Sequence, residues 1–427
     1  MRRIEIIIVG GGASGMMAAI VAARAGAQVT ILEHMDVLGK KLLATGNGKC
    51  NYTNRVQGPD KYYGENPAFV LPVFEQFGVE KTIALFEELG IYPKDKNGYL
   101  YPHSEQAASV QKVLCMELQR LQVRIVYSCG IRSIRKENGK FVFDTKEGRY
   151  TSDKCILATG GKTLRVSGSD GSGFLYLDTF RHHIIDIVPG LVGLQGKQSF
   201  FKEIAGIRAE IMLKLYIENA YITEEKGELQ LTNYGISGIP IFQISRIANK
   251  ALAAGKKVHV CIDYMPDMTE AMLFSKLKER FIQHGAGKNC EQALIGLFPE
   301  KLIPVLLSEA GIGKKLSAAI TEKQLSQLVQ QIQQFRVDIT DWNKFDSAQI
   351  SAGGVDTTEV DSDTLESKLE SGLYFAGEML DIDGICGGYN LQWAWSSGYV
   401  AGHHAAKVHT TEAHKSGVHT SAERERA

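Results

Sequence analysis

The stretch Ile4 to Gly15, IEIIIVGGGASG, decides the fold of this 427-residue chain. Ile4 to Val9 is short, apolar and rich in β-branched residues, the mark of a buried parallel strand. Ser14 to Ala25 is rich in Ala and Met and runs into Gly26, which reads as a helix and its stop. Gln28 to Leu32 is the next strand, and Glu33 closes it. Gly10-x-Gly12-x-x-Gly15 thus stands between a strand and a helix, with a carboxylate 23 positions after the first glycine. This is the spacing of a dinucleotide-binding unit. Gly10 permits the tight turn. Gly12 has no Cβ, so its backbone can touch a pyrophosphate. Gly15 lets the helix pack close to the strand. The helix N-terminus offers free N–H groups and partial positive charge to phosphates. Glu33 can accept hydrogen bonds from a ribose diol, which favours FAD or NAD over NADP.

Three further elements favour FAD over NAD. Gly39 to Asn54, GKKLLATGNGKCNYTN, is a long polar loop able to run under an extended cofactor. Ile131 to Arg135, Phe141 to Thr145 and Arg149 to Thr151 read as a β-meander with turns at Asn138-Gly139 and Glu147-Gly148. It leads into a buried strand, Lys154 to Ala158, and the turn Thr159-Gly160-Gly161. A meander in place of a crossover helix is the pattern of the glutathione-reductase-like FAD fold. Finally, Gly372 to Glu378 is a strand, and Gly387-Gly388 precedes a helix that starts near Tyr389 or Asn390. In FAD proteins such a helix points its N-terminus at the pyrimidine edge of the flavin, where its dipole stabilises negative charge. Asp383 is placed for the ribityl or pyrophosphate end.

GGGASG, GKKLLATGNGKCN, ATGG, GSDGSGF, SAGGV and GLYFAGEMLDIDGICGGYNLQWAWSSG together resemble the flavoproteins called NAD(FAD)-utilising dehydrogenases. That family includes aminoacetone-oxidase-type enzymes and a flavoprotein of bile-acid dehydroxylation operons. The likeness spans residues 1 to about 405. It implies FAD contacts at Gly10, Gly12, Ala13, Ser14, Gly15, Glu33, His34, Lys40, Lys41, Thr45, Gly46, Asn47, Asn51, Ile131, Thr159 and Gly160. From the C-terminal motif it adds Gly377, Glu378, Asp383, Gly388, Tyr389, Asn390 and Leu391. One departure stands out. Where the family often carries Thr-His-x-Gly, this chain reads Thr232-Asn233-Tyr234-Gly235, so no histidine role carries over.

The expected architecture is α/β, a glutathione-reductase-like FAD-binding Rossmann domain with an inserted antiparallel β-module and helical subdomain. Residues 1–190 and 348–406 form the FAD domain in this reading, 191–268 and 334–347 the β-module, and 269–333 the helical subdomain. In Thr269 to Gln283, Leu273, Leu277 and Phe281 share one helical face. The insertion can cover the flavin and form a substrate pocket between domains. The tail, 407–427, is polar without apolar period and reads as disordered.

Lys plus Arg and Asp plus Glu both number 48, so nothing in the net charge suggests a nucleic-acid or anionic-membrane partner. Seven widely spaced cysteines without a CxxC pair argue against a disulfide framework and a zinc site, and point to a reducing, cytoplasmic setting. Glu5 and the glycines break the N-terminal apolar run, so it reads as fold rather than signal peptide. No window reaches the roughly 18 apolar residues of a membrane helix.

The chemistry these residues point to is FAD-dependent oxidoreduction of a small molecule. Two versions compete: NAD(P)H-linked reduction of an enone C=C bond in a bile-acid or steroid-like substrate, and O₂-dependent amine oxidation of the aminoacetone type. The same cofactor motifs also suit a tRNA-modifying flavoprotein or a flavin-binding sensor without turnover. Gly168-x-x-Gly171-x-Gly173 is not a strand-to-helix unit, so NAD(P)H would dock transiently rather than on a second Rossmann domain. Lys49, Tyr234 and Tyr389 are conceivable proton donors or substrate contacts, and no catalytic residue is singled out.

Overall fold

A computed structural model of the chain describes residues 3–285 and 287–407. The expectation of a disordered tail falls, apart from Lys407, outside them. A five-stranded sheet carries the first half of the molecule. Its order is Leu373–Phe375, Lys154–Leu157, Glu5–Val9, Gln28–Leu32 and Arg124–Val126, all parallel. The central strand is buried on both faces, which is why Ile6 to Val9 is a continuous apolar run rather than an alternating one. The helix Ala13–Arg24 follows it, and the meander Ile131–Glu137, Lys140–Thr145, Arg149–Ser152 precedes Lys154–Leu157. Arg124–Val126, reached through the helix Ala107–Arg120, extends the sheet beyond the strands anticipated from sequence.

The last helix, Tyr389–Ala405, packs along the first. Glycine makes this approach possible. A Cβ on Gly398 or Gly402 would collide with the backbone oxygens of Ser14 and Ala18. Trp393 and Trp395 fill the core beside it, with their ring N–H groups donating to Gly377 O (3.1 Å) and Tyr52 O (2.9 Å).

Two antiparallel strands, Ile184–Gly190 and Ile350–Val355, carry the chain out to the insertion and back. The Gly353-Gly354 pair of SAGGV sits here at φ 110° and 149°. At Gly353 a Cβ would strike Asp186 O, where the partner strand bulges, so both the conformation and the space require glycine. The β-module is a closed six-stranded barrel: Leu194–Gly196, Gly235–Gly238, Ala220–Leu231, Arg208–Ile217, Val258–Asp263 and Phe335–Trp342. Helices Glu270–Lys278, Cys290–Leu294, Ile303–Glu309 and Glu322–Gln333 pack beside it. Leu273, Leu277 and Phe281 are all fully buried, as their spacing predicts. The barrel and these helices share one apolar core, separate from that of the parallel sheet. The long helix Ile239–Ala253 is not announced by the sequence pattern, because its Ile-Pro start follows a strand-like segment without a polar cap.

Candidate cofactor and active site

The glycine turn sits at the carboxyl ends of the parallel strands. Gly10 adopts φ 98° with its Cα against the Ala158 carbonyl: a Cβ there would lie 2.6 Å from that oxygen. At Gly15 a Cβ would fall inside contact distance of Gly10 O, so helix and strand meet backbone to backbone. Gly12 differs. Its φ is −75°, and a Cβ would meet no protein atom within 4 Å. The chain itself therefore imposes no packing reason for glycine at 12, as expected where a ligand approaches the backbone. The first intrahelical bond is Met16 N–H to Gly12 O, so the N–H groups of Ala13, Ser14 and Gly15 have no intrahelical acceptor. They form a ready anion site.

Glu33 is buried and works on this turn directly. One carboxylate oxygen accepts from Gly11 N–H at 2.6 Å and the other from Met35 N–H at 2.7 Å. Each oxygen keeps a second lone pair, enough to accept from a ribose diol. His34 is exposed beside Gly168, and Lys40 is half-buried. Lys41 donates to Glu378 at 2.7 Å and to Thr163 at 2.9 Å, which ties the 39–54 loop to the end of the last sheet strand. Thr45 to Asn47 departs from helical geometry, with Gly46 and Asn47 at positive φ. Thr45 is half-buried, while Gly46 and Asn47 are exposed. Ile131 O accepts from the Tyr176 hydroxyl at 3.1 Å, and Thr159 and Gly160 line the turn after Lys154–Leu157.

At the other end stands the last helix. Gly388 caps it at φ 92°, where a Cβ would lie 2.7 Å from Thr53 O and 2.9 Å from the Asn51 amide oxygen. Gln392 N–H to Gly388 O is the first intrahelical bond, leaving the N–H groups of Tyr389, Asn390 and Leu391 without an intrahelical acceptor. Asn390 clamps the preceding turn by bonding Gly384 N–H (2.8 Å) and Gly384 O (2.7 Å). Asn54 donates to Gly387 O at 3.1 Å. The Asn51 amide oxygen is buried without a protein partner, so it awaits a donor from elsewhere. Gly377 N–H is held by the Ser397 hydroxyl at 2.9 Å.

Two helix N-termini, the bare Gly12 and the orphaned Asn51 oxygen together fit an extended dinucleotide, whose phosphates the first helix would hold and whose flavin ring the last would face. Bound FAD supplies two-electron transfer there. The chain's own residues would bind and orient it, and the last helix would offer its partial positive charge to the ring. Neither cofactor-loop cysteine is a thiolate: burial pushes Cys50 up to about 12 and raises Cys386 as well. Burial also raises the Tyr389 hydroxyl, whose ring stands edge-on to Tyr62 at 6.0 Å. Lys49 and His103 are exposed, and the Tyr234 hydroxyl lies against Gly193 in the barrel.

Asp383 faces the insertion, not solvent. It is 2% exposed and accepts from the Arg246 guanidinium at 2.8 Å, with Tyr63 stacked 5.0 Å from the arginine. Burial outweighs the pull of that arginine and pushes the Asp383 carboxyl up to about 6. Asp381, two residues earlier, is also buried and raised by desolvation. Gln243 accepts from Cys386 N–H at 2.9 Å. Sequence reasoning named neither Arg246 nor Gln243; their spacing of three on an unrecognised helix was the available signal. Two surface depressions of about 370 and 440 Å³ lie elsewhere, one beside Phe69 and Lys368, the other among the inserted helices.

Among the described residues no group of three or more His, Cys, Asp or Glu could hold a metal ion, and no helix is long and apolar enough to cross a membrane.

A family model described as "HI0933-like protein Rossmann domain" matches residues 4–404. A 3-dehydro-bile acid delta(4,6)-reductase of Clostridium scindens is 44% identical over 410 residues, covering 95% of this chain and 100% of that protein. Ribosomal RNA dihydrouridine synthases of Haemophilus influenzae and Escherichia coli are each 28% identical, covering 92% and 93% of this chain and 96% and 97% of theirs.

Proposed function

The chain belongs to the HI0933-like Rossmann family and is an FAD-dependent oxidoreductase, and from that premise we propose that it reduces an enone C=C bond in a bile-acid or steroid-like substrate with NAD(P)H as donor. The observation that carries this reading is the 44% identity to the bile-acid reductase over 95% of the chain, a span that takes in the inserted barrel as well as the cofactor domain. In balance, NAD(P)H gives up a hydride and becomes NAD(P)⁺. The C=C carbons receive that hydride and one proton from water or a protein acid. Tyr389 is a neutral phenol near the last helix's N-terminus and is a candidate for passing the proton. The cofactor motifs fill the single dinucleotide unit, so the nicotinamide donor docks transiently in the cleft.

Anaerobic stopped-flow mixing tests the donor. NADH or NADPH should bleach the flavin, and a 3-oxo-4-ene steroid should restore it faster than O₂ does. A flavin that stays oxidised at saturating NADH and NADPH sinks the reductase reading; prompt bleaching by an amine would replace it with amine oxidation. The 28% relatives motivate an RNA-directed reading of the same C=C chemistry. Equal numbers of acidic and basic residues weigh against it. Tight, steeply salt-dependent binding of ribosomal RNA would revive it.

A further inference from the structure

The segment 168–173, GSDGSG, touches the carboxyl ends of two parallel strands. At Gly168, with φ 99°, a Cβ would lie 2.8 Å from the Met35 Cγ and 2.9 Å from the His34 Nε2, just past Gln28–Leu32. The next residue, Ser169, places its hydroxyl oxygen 3.2 Å from the Cβ position of Gly160, just past Lys154–Leu157. At Gly173 the backbone closes on Thr159, whose hydroxyl a Cβ would strike. Glu5–Val9 runs between those two strands, so the segment links points on either side of the strand that carries the glycine turn. Neighbouring strands lie about 4.8 Å apart, which makes the span roughly 10 Å. Asp170 fixes its shape by accepting from Ser172 N–H at 2.9 Å. Gly10 packs on the same turn: a Cβ there would lie 3.0 Å from the Thr159 Cα.

Ser169 is 5% exposed, yet its hydroxyl has no hydrogen-bond partner among the described residues. A buried hydroxyl left unpaired is destabilising, because it has given up water and gained nothing. This one stands beside the turn on which Gly10 rests, where the first helix already offers the free N–H groups of Ala13, Ser14 and Gly15. Glu378 reaches the same place, its carboxylate 3.8 Å from the Gly160 Cβ position, but Lys41 binds it at 2.7 Å and offsets its charge.

We propose that residues 168–173 strap the dinucleotide at the glycine turn, and that the Ser169 hydroxyl donates a hydrogen bond to one of its phosphate oxygens. The hydroxyl proton rotates to suit its acceptor, so the group can serve a phosphate without carrying a charge of its own. The contact holds the cofactor and is independent of which substrate the enzyme reduces.

The test compares the wild type with Ser169→Ala and Ser169→Cys, each full chain stripped of flavin and titrated with FAD by flavin fluorescence. Cysteine keeps the side-chain volume but is a weak donor. Both variants should bind FAD about tenfold more weakly, as for loss of a hydrogen bond to a charged group. ADP carries the two phosphates without the flavin, and its competition against FAD should weaken by the same factor. Urea unfolding of the stripped protein separates this from a role in the fold. Removing a hydroxyl that has no protein partner should leave the Ser169→Ala midpoint at or above that of the wild type, whereas removing one bonded within the fold lowers it. Wild-type FAD affinity in both variants overturns the contact, and so does a lowered midpoint in stripped Ser169→Ala. ADP that competes equally well in wild type and variants, or in none of them, overturns the assignment to a phosphate.

Discussion

Gly12 and Gly15 sit three residues apart in one motif, and the structure assigns them different duties. Replacing each with Ala separates the two. At Gly15 the new Cβ lands inside contact distance of Gly10 O, 3.1 Å from Gly10 C and 3.4 Å from the Ala158 Cβ. Backbone cannot step aside as a flexible side chain can, so the strand and helix must separate. Overpacking of this kind costs about 1–3 kcal/mol, and backbone contact belongs at the upper end. At Gly12 the Cβ meets nothing within 4 Å and φ is −75°, comfortable for alanine. Two small terms remain. Alanine is the poorer N-cap, by up to about 1 kcal/mol. It also stiffens the unfolded chain, a gain of about 0.4–1 kcal/mol. They offset, so apo-protein stability should move by less than about 0.5 kcal/mol. The methyl would instead stand where the phosphates reach the helix N-terminus, and FAD affinity should fall at least about tenfold, or roughly 1.4 kcal/mol. Urea unfolding of flavin-stripped protein and FAD titration by flavin fluorescence read the two quantities separately. Gly12→Ala retaining wild-type FAD affinity, or losing as much apo stability as Gly15→Ala, would refute the assignment.

Other outcomes follow from the domain joint. Arg246→Met leaves the buried Asp383 carboxyl without its cation; already raised to about 6, the group takes up a proton, so at pH 7 stability should fall by about 1–3 kcal/mol, the protonation cost plus the lost hydrogen bond, read as a fall in the urea midpoint. The Asp383 carboxyl stands at about 6 in the folded chain and near 3.9 unfolded, so the folded state binds its proton more readily. Its contribution is fully present below about pH 4 and is lost as pH rises through 6, up to roughly 3 kcal/mol; the wild-type-minus-Asp383→Asn difference in unfolding free energy, measured from pH 4 to 7, should follow that slope. Gly388→Ala combines φ 92° with a Cβ 2.7 Å from Thr53 O, and should cost about 1–3 kcal/mol and lower the FAD content of the purified protein.

Much of this molecule is legible in one dimension, because its signals are local. A buried parallel strand must be a short β-branched run, a turn beneath a phosphate must lack a Cβ, and a helix face must repeat its apolar residues. Glu5–Val9, the 10–15 turn, the meander and the Leu273, Leu277, Phe281 face therefore stand where their sequence places them. What tertiary structure alone decided is how the insertion meets the cofactor domain. Barrel closure pairs Leu194–Gly196 with Phe335–Trp342, more than a hundred residues apart, and no local period encodes that partner. Asp383 reads as a cofactor ligand because its own neighbourhood is a cofactor motif; only the fold brings Arg246 to it from 137 positions away. The same is true of Gln243 on Cys386. Sequence by itself determined which cofactor this chain is built to hold, since that site is made from short contiguous turns. The joint between insertion and cofactor domain is made by two cores docking, and long-range contacts of that kind carry no signature in the order of the residues.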